Sequence, residues 1–469
     1  MKRLRILFSL TLFLQAQLAF SDALSDKINA LIKKELPHAT VGVVVKDAQT
    51  GTIIYSKNAD KLLSPASSIK LFTTAAALYQ LKPDFRFVTS LSKKGKDYYL
   101  TFSGSPSLTD KNLSDLILTL KKNKPNSIEG NIVIDTQQFK PPYYPGGVSY
   151  DDLGWYYAAP TTAAIVNENA LAYEFTTAKE LGMPVQIKAK TPGKGLTIIN
   201  QLITVSKEDA KHHCDMNIKL KQHNTVHFYG CMAQSKDPKI MVLAIPDPEL
   251  YVEQVIKETL VKNGMLLKGI IHNGSTPKDA QLIAQFQSAD LHKMIDHMLK
   301  ESDNLYANSL TKELGLAVTD HGSHKQGMYA IKKILAEHTS IDMKQVELAD
   351  GMGTRYNLSS PKQMVSLLSD LYNDKNLRPI ILEALPLAGV SGTLKTRMLK
   401  TPLEKRVVAK TGTMHDITSL SGYLLSPQDK TLIFSIIING VNQPIAKAKK
   451  LEEQILMAVD EQSQVSTSS

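Results

Sequence analysis

Cysteine, tryptophan and long apolar segments are scarce in this sequence of 469 residues, which has two cysteines and one tryptophan. After the N-terminal region no segment has the ~20 consecutive apolar residues that span a bilayer, which argues against an integral membrane protein. The net charge of +10 is spread along the chain, and no basic run is interleaved with aromatic residues. That pattern argues against nucleic-acid binding and leaves an ordinary globular protein.

The N-terminus has a basic start, a short apolar run over residues 6–14, and small residues at Ala19 and Ser21. This order is typical of a secretory signal peptide, because the apolar run is too short to cross a bilayer. We therefore expect residues 1–21 to be a signal peptide and the protein to be exported to the periplasm, without a stable membrane anchor.

The two cysteines, Cys214 and Cys231, bracket short strand-like segments. In an exported protein this spacing favours one disulfide that closes a small lobe, and two free thiols are the alternative. His212 and His213 precede Cys214, but no second Cys-x-x-Cys or His-x-x-x-His motif accompanies them. A metal site is therefore the weaker interpretation.

The segment over residues 62–78 predicts the start of a helix after a strand, because Pro65 suits a first turn and apolar residues after Lys70 recur at helical spacing. Ser67 and Lys70 are three residues apart and share a helix face, so the amine is expected to reach the hydroxyl. A lysine activates a serine once burial and positive neighbours lower its pKa. This pair predicts a serine nucleophile with a lysine base.

Ser-x-x-Lys is a weak signal by itself, and a solvated surface pair is the expected interpretation of its other occurrences, which are Ser90/Lys93, Ser275/Lys278, Ser309/Lys312 and Ser359/Lys362. Two further motifs follow Ser67 in order and distinguish it. The first is Ser302-Asp303-Asn304 between two helical segments, and the second is Lys410-Thr411-Gly412-Thr413 on a strand edge.

These three motifs in this order are the signature of penicillin-binding proteins and class A β-lactamases. The wider sequence resembles the penicillin-binding protein 4 family, the D-alanyl-D-alanine carboxypeptidases and endopeptidases with a large insertion between the first two motifs. The similar segments run nearly end to end and include residues 104–109, 159–169, 350–351 and 389–394. The resemblance implies an α/β (α+β) fold, in which the antiparallel sheet of a penicillin-recognising domain is flanked by helices.

The insertion is visible in the sequence as short β-type runs separated by turn residues between about residue 85 and residue 271. We predict four parts of the chain. They are a signal peptide over 1–21, a penicillin-binding domain over 22–90 and 275–469, a β-rich insertion lobe over 91–183 and 236–274, and a smaller nested β lobe over 184–235.

The resemblance implies a catalytic role for five residues. Ser67 forms an acyl-enzyme and Lys70 takes its proton. Ser302 relays a proton towards the leaving group, Asn304 hydrogen-bonds the substrate amide, and Lys410 adds positive field that helps to keep Lys70 neutral.

The third motif is also expected to bind substrate. By the same resemblance, the hydroxyls of Thr411 and Thr413 bind the terminal carboxylate on either side of Gly412. The backbone amides of Ser67 and Thr413 form the oxyanion hole.

Further substrate contacts are implied outside the three motifs. Asp152 and Tyr157 match the insertion residues that hold the free amino group of diaminopimelate, although Asp151 is adjacent and a solvated loop acid is the alternative. Residues 350–355 are one residue shorter than the family pattern Asp-Gly-Ser-Gly-Leu-Ser-Arg, and Arg355 aligns there as a substrate-side residue.

The implied function is a serine-type DD-peptidase that removes terminal D-Ala from peptidoglycan stem peptides and cuts their cross-links. β-Lactams would be covalent inhibitors, and no metal or organic cofactor is needed. A β-lactamase is one alternative, but residues 168–172 lack the asparagine of the deacylation motif Glu-x-x-Leu-Asn. A non-catalytic sensor or wall-binding module is another, and the intact motifs argue against it. The sequence does not decide between a monomer and a homo-oligomer.

Overall fold

A computed structural model describes residues 23–122, 127–190, 195–426 and 430–468. The predicted signal peptide lies outside these residues. Among the described residues, no helix combines the length and apolar character that crossing a bilayer requires. The helices are α1 (23–35), α2 (Lys70–Leu81), α3 (Asp110–Leu118), α4 (Lys207–His212), α5 (Pro248–Lys262), α6 (Leu291–Lys300), α7 (Asn304–Thr319), α8 (His324–His338), α9 (Pro361–Asn373), α10 (Leu377–Ala384) and α11 (Ile445–Ser468).

The strands form several sheets. They are β1 (Thr40–Asp47), β2 (Ile53–Lys57), β3 (Val88–Lys94), β4 (Asp97–Thr101), β5 (Ser127–Ile128), β6 (Ile132–Asp135), β7 (Ala170–Thr176), β8 (Gln186–Ala189), β9 (Thr197–Val205), β10 (Met216–Lys221), β11 (Thr225–Ala233), β12 (Lys239–Ala244), β13 (Leu266–Leu267), β14 (Ile271–Asn273), β15 (Gln281–Gln287), β16 (Val407–Met414), β17 (Ile417–Leu425) and β18 (Thr431–Asn439).

The chain divides into two compact units. The first unit contains the described residues up to Lys82, His292–Asp303, and the described residues from Ile331 onwards. The second unit contains the described residues of Pro83–Leu291 and Asn304–Ala330. The sequence-based bounds of the insertion and of its nested lobe stay a prediction.

The first unit is built on a five-stranded antiparallel sheet in the order β16-β17-β18-β1-β2. The central strands β17 and β18 are buried along almost their whole length, because helices cover both faces of the sheet. One buried cluster joins Phe434 of β18 to Ile28 of α1 and Ile455 of α11. Both ends of the chain therefore share one core, and the sheet between helices has the predicted α/β character.

The second unit contains the β-rich segments. A five-stranded mixed sheet has the order β14-β6-β4-β3-β15, and smaller sheets have the orders β12-β7-β8, β10-β11-β9 and β13-β5. Cys214, just before β10, and Cys231, within β11, form a disulfide with Cα atoms 5.8 Å apart. The predicted disulfide is therefore confirmed.

Candidate active site

Ser67 lies in a short 3-10 turn, Ala66–Ile69, and α2 begins at Lys70. The sequence predicted an α-helix already at Ser67, so the start of the helix is later than expected. Side chains three residues apart eclipse one another in a 3-10 turn, and the shared face is retained. The Lys70 Nζ donates to Ser67 Oγ at 3.1 Å and to the Met352 carbonyl at 2.6 Å. The predicted nucleophile and its base are therefore in hydrogen-bond contact.

The turn is held tightly against its neighbours in the first unit. Ser68 Oγ lies 2.7 Å from Ser419 Oγ of β17. Ala66 has a positive φ of 46°, which is costly for a residue with a Cβ. Gly353 has a φ of 107°, and a Cβ there would lie 2.2 Å from the Ala66 carbonyl oxygen. Backbone packing on both sides therefore fixes the direction of the Ser67 side chain.

Lys70 is fully buried, and burial lowers the pKa of its ammonium to about 7. The negative charges of Asp303 and Asp350 act in the opposite direction and raise this pKa. The neutral amine is therefore well populated at neutral pH, which is the state that accepts a proton from a serine.

Lys410 of the third motif contacts Ser302, the serine of the second motif. Its Nζ donates to Ser302 Oγ at 2.8 Å and to the Thr411 carbonyl at 2.9 Å. Burial, and after it the charge of Lys70, lower the pKa of Lys410 well below its usual value. Burial causes the lowered pKa of Lys70, and the predicted effect of Lys410 on Lys70 stays a prediction. Ser302 has a left-handed φ of 59°, a strained conformation for serine.

The third motif lies on β16, which is an edge strand of the sheet. Thr411 Oγ1 donates to Thr393 Oγ1 at 2.7 Å, while Thr413 is exposed. A Cβ at Gly412 would lie 2.4 Å from Ser419 Oγ and 2.5 Å from the Pro65 carbonyl oxygen. Glycine is required at this position because β16 passes close to the turn that precedes Ser67.

Asp350 is a site residue that the sequence analysis did not single out. Its buried carboxylate accepts hydrogen bonds from the backbone amides of Met352 at 2.9 Å and Gly353 at 2.6 Å, and from Asn357 Nδ2 at 2.9 Å. This turn directs the Met352 carbonyl at Lys70. The available signal was an Asp-Gly step followed by an asparagine seven residues after the aspartate.

Arg355 follows this turn and is more than half exposed. Its Nη2 lies 3.8 Å from Asp416 Oδ1, so a partly exposed acid of the same unit already faces the guanidinium. The contact is long and solvated, and it contributes little to stability.

The other predicted residues belong to the second unit. Asn304 is the first residue of α7, and its Nδ2 donates to the Tyr157 carbonyl at 2.8 Å. The Tyr157 hydroxyl donates to Asp152 Oδ1 at 2.8 Å. Burial and this hydrogen bond raise the pKa of the Tyr157 hydroxyl. Two hydrogen bonds thus connect Asn304, Tyr157 and Asp152, and the role of Asp152 and Tyr157 in binding an amino group stays a prediction.

Comparison with known protein families agrees with the serine and lysine contacts of the first unit. A model described as the D-Ala-D-Ala carboxypeptidase 3 (S13) family matches residues 24–461. The chain belongs to this family. Its members are serine hydrolases, and the S13 chain described here is a serine-type D-Ala-D-Ala carboxypeptidase, as the three motifs predicted.

Named relatives support the assignment of this chain to the S13 family. The chain is 29% identical over 425 residues to the D-alanyl-D-alanine carboxypeptidase DacB of Haemophilus influenzae, covering 87% of each chain. It is 28% identical over 446 residues to a D-alanyl-D-alanine carboxypeptidase of Actinomadura sp., covering 90% of this chain and 82% of the relative. The crystal structure of penicillin-binding protein 4 from Haemophilus influenzae superposes with a TM-score of 0.85 at 27% identity, covering 92% of this chain and 99% of that chain. The predicted fold class and the predicted family resemblance are confirmed.

We expect the acylation rate of Ser67 by benzylpenicillin to rise with pH and to be half-maximal near pH 7, because the pKa of Lys70 is lowered to about 7 and its neutral amine is the predicted base. Stopped-flow rates across a pH series measure this midpoint.

The variant Asp350→Asn tests the electrostatic cause. The carboxylate of Asp350 raises the pKa of Lys70, so its removal should move the midpoint to lower pH. Asp342→Asn removes an exposed acid of the same unit and should leave the midpoint in place. A midpoint near the ~10 of an ordinary lysine, or no shift in Asp350→Asn, would contradict the role of Lys70 as base.

Proposed function

We propose that this S13 carboxypeptidase is an exported, periplasmic enzyme that acts on peptidoglycan, removing terminal D-Ala from stem peptides and cutting the cross-links between them. The observation that carries the proposal is the contact between the buried Lys70 amine and the Ser67 hydroxyl, at 3.1 Å. A buried lysine with a lowered pKa that donates to a serine hydroxyl is a candidate general base for that serine.

In the proposed reaction, Ser67 Oγ forms a bond to the carbonyl carbon of the D-Ala-D-Ala peptide while its proton passes to Lys70. The carbon–nitrogen bond to the last D-Ala then breaks, and its amine receives a proton through Ser302. Water next attacks the acyl-enzyme ester and gives a proton to the neutral Lys70 amine, and that proton returns to Ser67 Oγ as the ester bond breaks. The protons balance because Lys70 passes the proton it took from Ser67 through Ser302 to the leaving amine and is neutral again, while Lys410 Nζ holds Ser302 Oγ at 2.8 Å.

The terminal carboxylate of the substrate is assigned to the open edge of β16. Lys410 supplies positive charge there, and the Thr411 and Thr413 hydroxyls donate hydrogen bonds. The backbone amides of Ser67 and Thr413 are the proposed oxyanion donors, a role that needs a fixed backbone. The close packing at Gly412 and Gly353 supports this assignment.

The free amino group of the diaminopimelate side chain is assigned to Asp152, with Tyr157 as its neighbour and Arg355 as a further substrate-side residue. The hydrogen bond from the Tyr157 hydroxyl to Asp152 Oδ1, at 2.8 Å, orients the carboxylate. An ammonium ion facing an oriented carboxylate forms a charge-assisted hydrogen bond.

β-Lactams are the proposed covalent inhibitors. A further solved structure of Haemophilus influenzae penicillin-binding protein 4, complexed with a novel β-lactam, superposes with a TM-score of 0.81 and 27% identity, covering 92% of this chain and 99% of that chain. The likeness supports acylation of Ser67 by the same class of compound.

We expect intact-protein mass spectrometry after addition of benzylpenicillin to detect a lasting mass increase of one penicilloyl group, which peptide mapping places on Ser67. A transient adduct would instead favour a β-lactamase. No adduct and no release of D-Ala from a peptide ending in D-Ala-D-Ala would favour a non-catalytic wall-binding module and overturn the proposal.

A further inference from the structure

Lys312 is a second buried lysine, and the proposed reaction does not use it. It lies in α7, two turns after Asn304, and its side chain is fully buried in the second unit. Burial lowers the pKa of Lys312 to about 7. A buried lysine is costly unless its charge is satisfied, so its partners indicate its role.

The partners of Lys312 are backbone carbonyls from two separate stretches of chain. Its Nζ donates to the carbonyl oxygens of Lys140 at 2.9 Å, Pro142 at 3.1 Å and Thr161 at 2.9 Å. The three donors of an ammonium group are therefore matched by three acceptors, which oppose the effect of burial on the charged form.

Aromatic rings complete the environment of the ammonium. Nζ lies 5.7 Å from the ring centre of Phe139 and 5.0 Å from that of Tyr143, distances at which the ring faces attract a cation. The Lys312 site is thus built for a cation, from groups that flank one particular segment.

That segment is residues 143–160, which we call the recognition segment because it carries Asp152 and Tyr157. Lys312 holds the chain immediately before it, at Lys140 and Pro142, and immediately after it, at Thr161. Its ends are also joined by a hydrogen bond from the Thr161 amide to the Tyr143 carbonyl at 2.9 Å.

The recognition segment has an exposed middle and buried residues near its end, since Tyr150 is 70% and Tyr156 52% exposed whereas Ala158 is 5% exposed. Its middle is held by the Ala244 amide, which donates to the Gly154 carbonyl at 3.0 Å. Two side chains hold the later part of the segment: Asn304 Nδ2 donates to the Tyr157 carbonyl at 2.8 Å, and Asn169 Nδ2 donates to the Pro160 carbonyl at 3.0 Å. Helix α7 therefore contacts the segment through Asn304 and its two flanks through Lys312.

We propose that Lys312 is a positioning residue for substrate selection, which fixes the two ends of the recognition segment so that Asp152 is held in place for a substrate carrying a free side-chain amine. This inference rests on the proposed function, in which Asp152 binds that amine. Lys312 itself does not touch the substrate.

The test uses two peptides that end in D-Ala-D-Ala, one with a free side-chain amine at its third residue and one acetylated on that amine. The selectivity is the ratio of their kcat/KM values. Because small displacements of a binding group lower rates strongly, we expect Lys312→Met to reduce the selectivity about tenfold, chiefly through KM of the free-amine peptide. Benzylpenicillin acylation of Ser67 should stay within about twofold of wild type, since the β-lactam carries no such amine.

Two reference variants give the largest and the smallest expected loss of selectivity. Asp152→Asn should give the full loss of selectivity, and Lys325→Met, which removes an exposed lysine of the same unit, should give none. Hydrogen exchange followed by mass spectrometry should detect faster exchange within residues 143–160 in Lys312→Met. If that variant does not fold, Lys312→Gln, which keeps two donors, replaces it and should show a smaller change in the same direction.

Unchanged selectivity and unchanged exchange in the Lys312 variant would overturn the inference. An equal loss on both peptides and on benzylpenicillin would also overturn it, because that result indicates general destabilisation. Failure of wild-type protein to release D-Ala from either peptide would instead overturn the proposed function, so the two failures are distinguishable.

Discussion

Replacement of Ser67 by alanine is expected to lower D-Ala release and cross-link cleavage together by at least about 10⁴-fold and to abolish the penicilloyl adduct, because both reactions pass through the same serine ester. D-Ala release from a peptide, cleavage of a cross-linked peptide dimer, and intact mass after benzylpenicillin measure the three outcomes.

Ser275→Ala is the matched control for this substitution. Ser275 also has a lysine three residues later, at Lys278, but it is an exposed residue of the second unit. All three outcomes should be unchanged in this control. If either hydrolytic activity survived in Ser67→Ala, the two reactions would not share one nucleophile.

Replacement of Lys70 by methionine is expected to slow acylation of Ser67 by about 10²- to 10⁴-fold, the usual contribution of a general base. Methionine is apolar and similar in length, so the buried site should accept it with the fold retained. The acylation rate by benzylpenicillin measures the effect, and circular dichroism verifies the fold.

Lys70→Arg separates charge from basicity. A guanidinium group stays protonated at neutral pH and cannot accept the serine proton, although it keeps the positive charge. We expect Lys70→Arg to be as slow as Lys70→Met. Near-normal acylation in Lys70→Arg would indicate that Lys70 acts through its charge, and the proton would need another acceptor.

The central strands and the main helices of the first unit follow directly from sequence patterns. The apolar runs predict β17 and β18, and the structure has them at Ile417–Leu425 and Thr431–Asn439. The helix after Pro361 begins with proline in its first turn and a serine cap at Ser360, which are local signals. Such elements are predictable because a few neighbouring residues determine them.

The turn before Ser67 shows where local patterns fail. A run of alanine and leucine predicts a helix, but Ala66 adopts a left-handed conformation because β16, β17 and the Asp350 turn constrain it from distant parts of the sequence. The left-handed Ser302 is another case, since nothing in the residue type indicates it.

The predicted site was accessible mainly through resemblance. Ser67 and Lys70 follow from spacing alone, whereas the roles of Ser302, Asn304 and Lys410 came from the order of three motifs. Asp350 and Lys312 were not found, because their partners are backbone groups that become neighbours only in the folded chain. Lys312 even ends one of the recurrent Ser-x-x-Lys patterns that sequence reasoning assigned to the surface.

The pairing of β1 with β18 joins the first and last strands of the described residues. Thr40 lies opposite Asn439, and Asp47 lies opposite Leu432. Contacts between residues so far apart in sequence form slowly, because closing the long intervening loop costs conformational entropy. Lys70 is synthesised early, but the strand that carries Lys410 follows hundreds of residues later. On the proposed function, a chain still emerging during export carries its serine without a working centre. On that proposal, wall cleavage waits until β16, the strand that carries Lys410, has been synthesised.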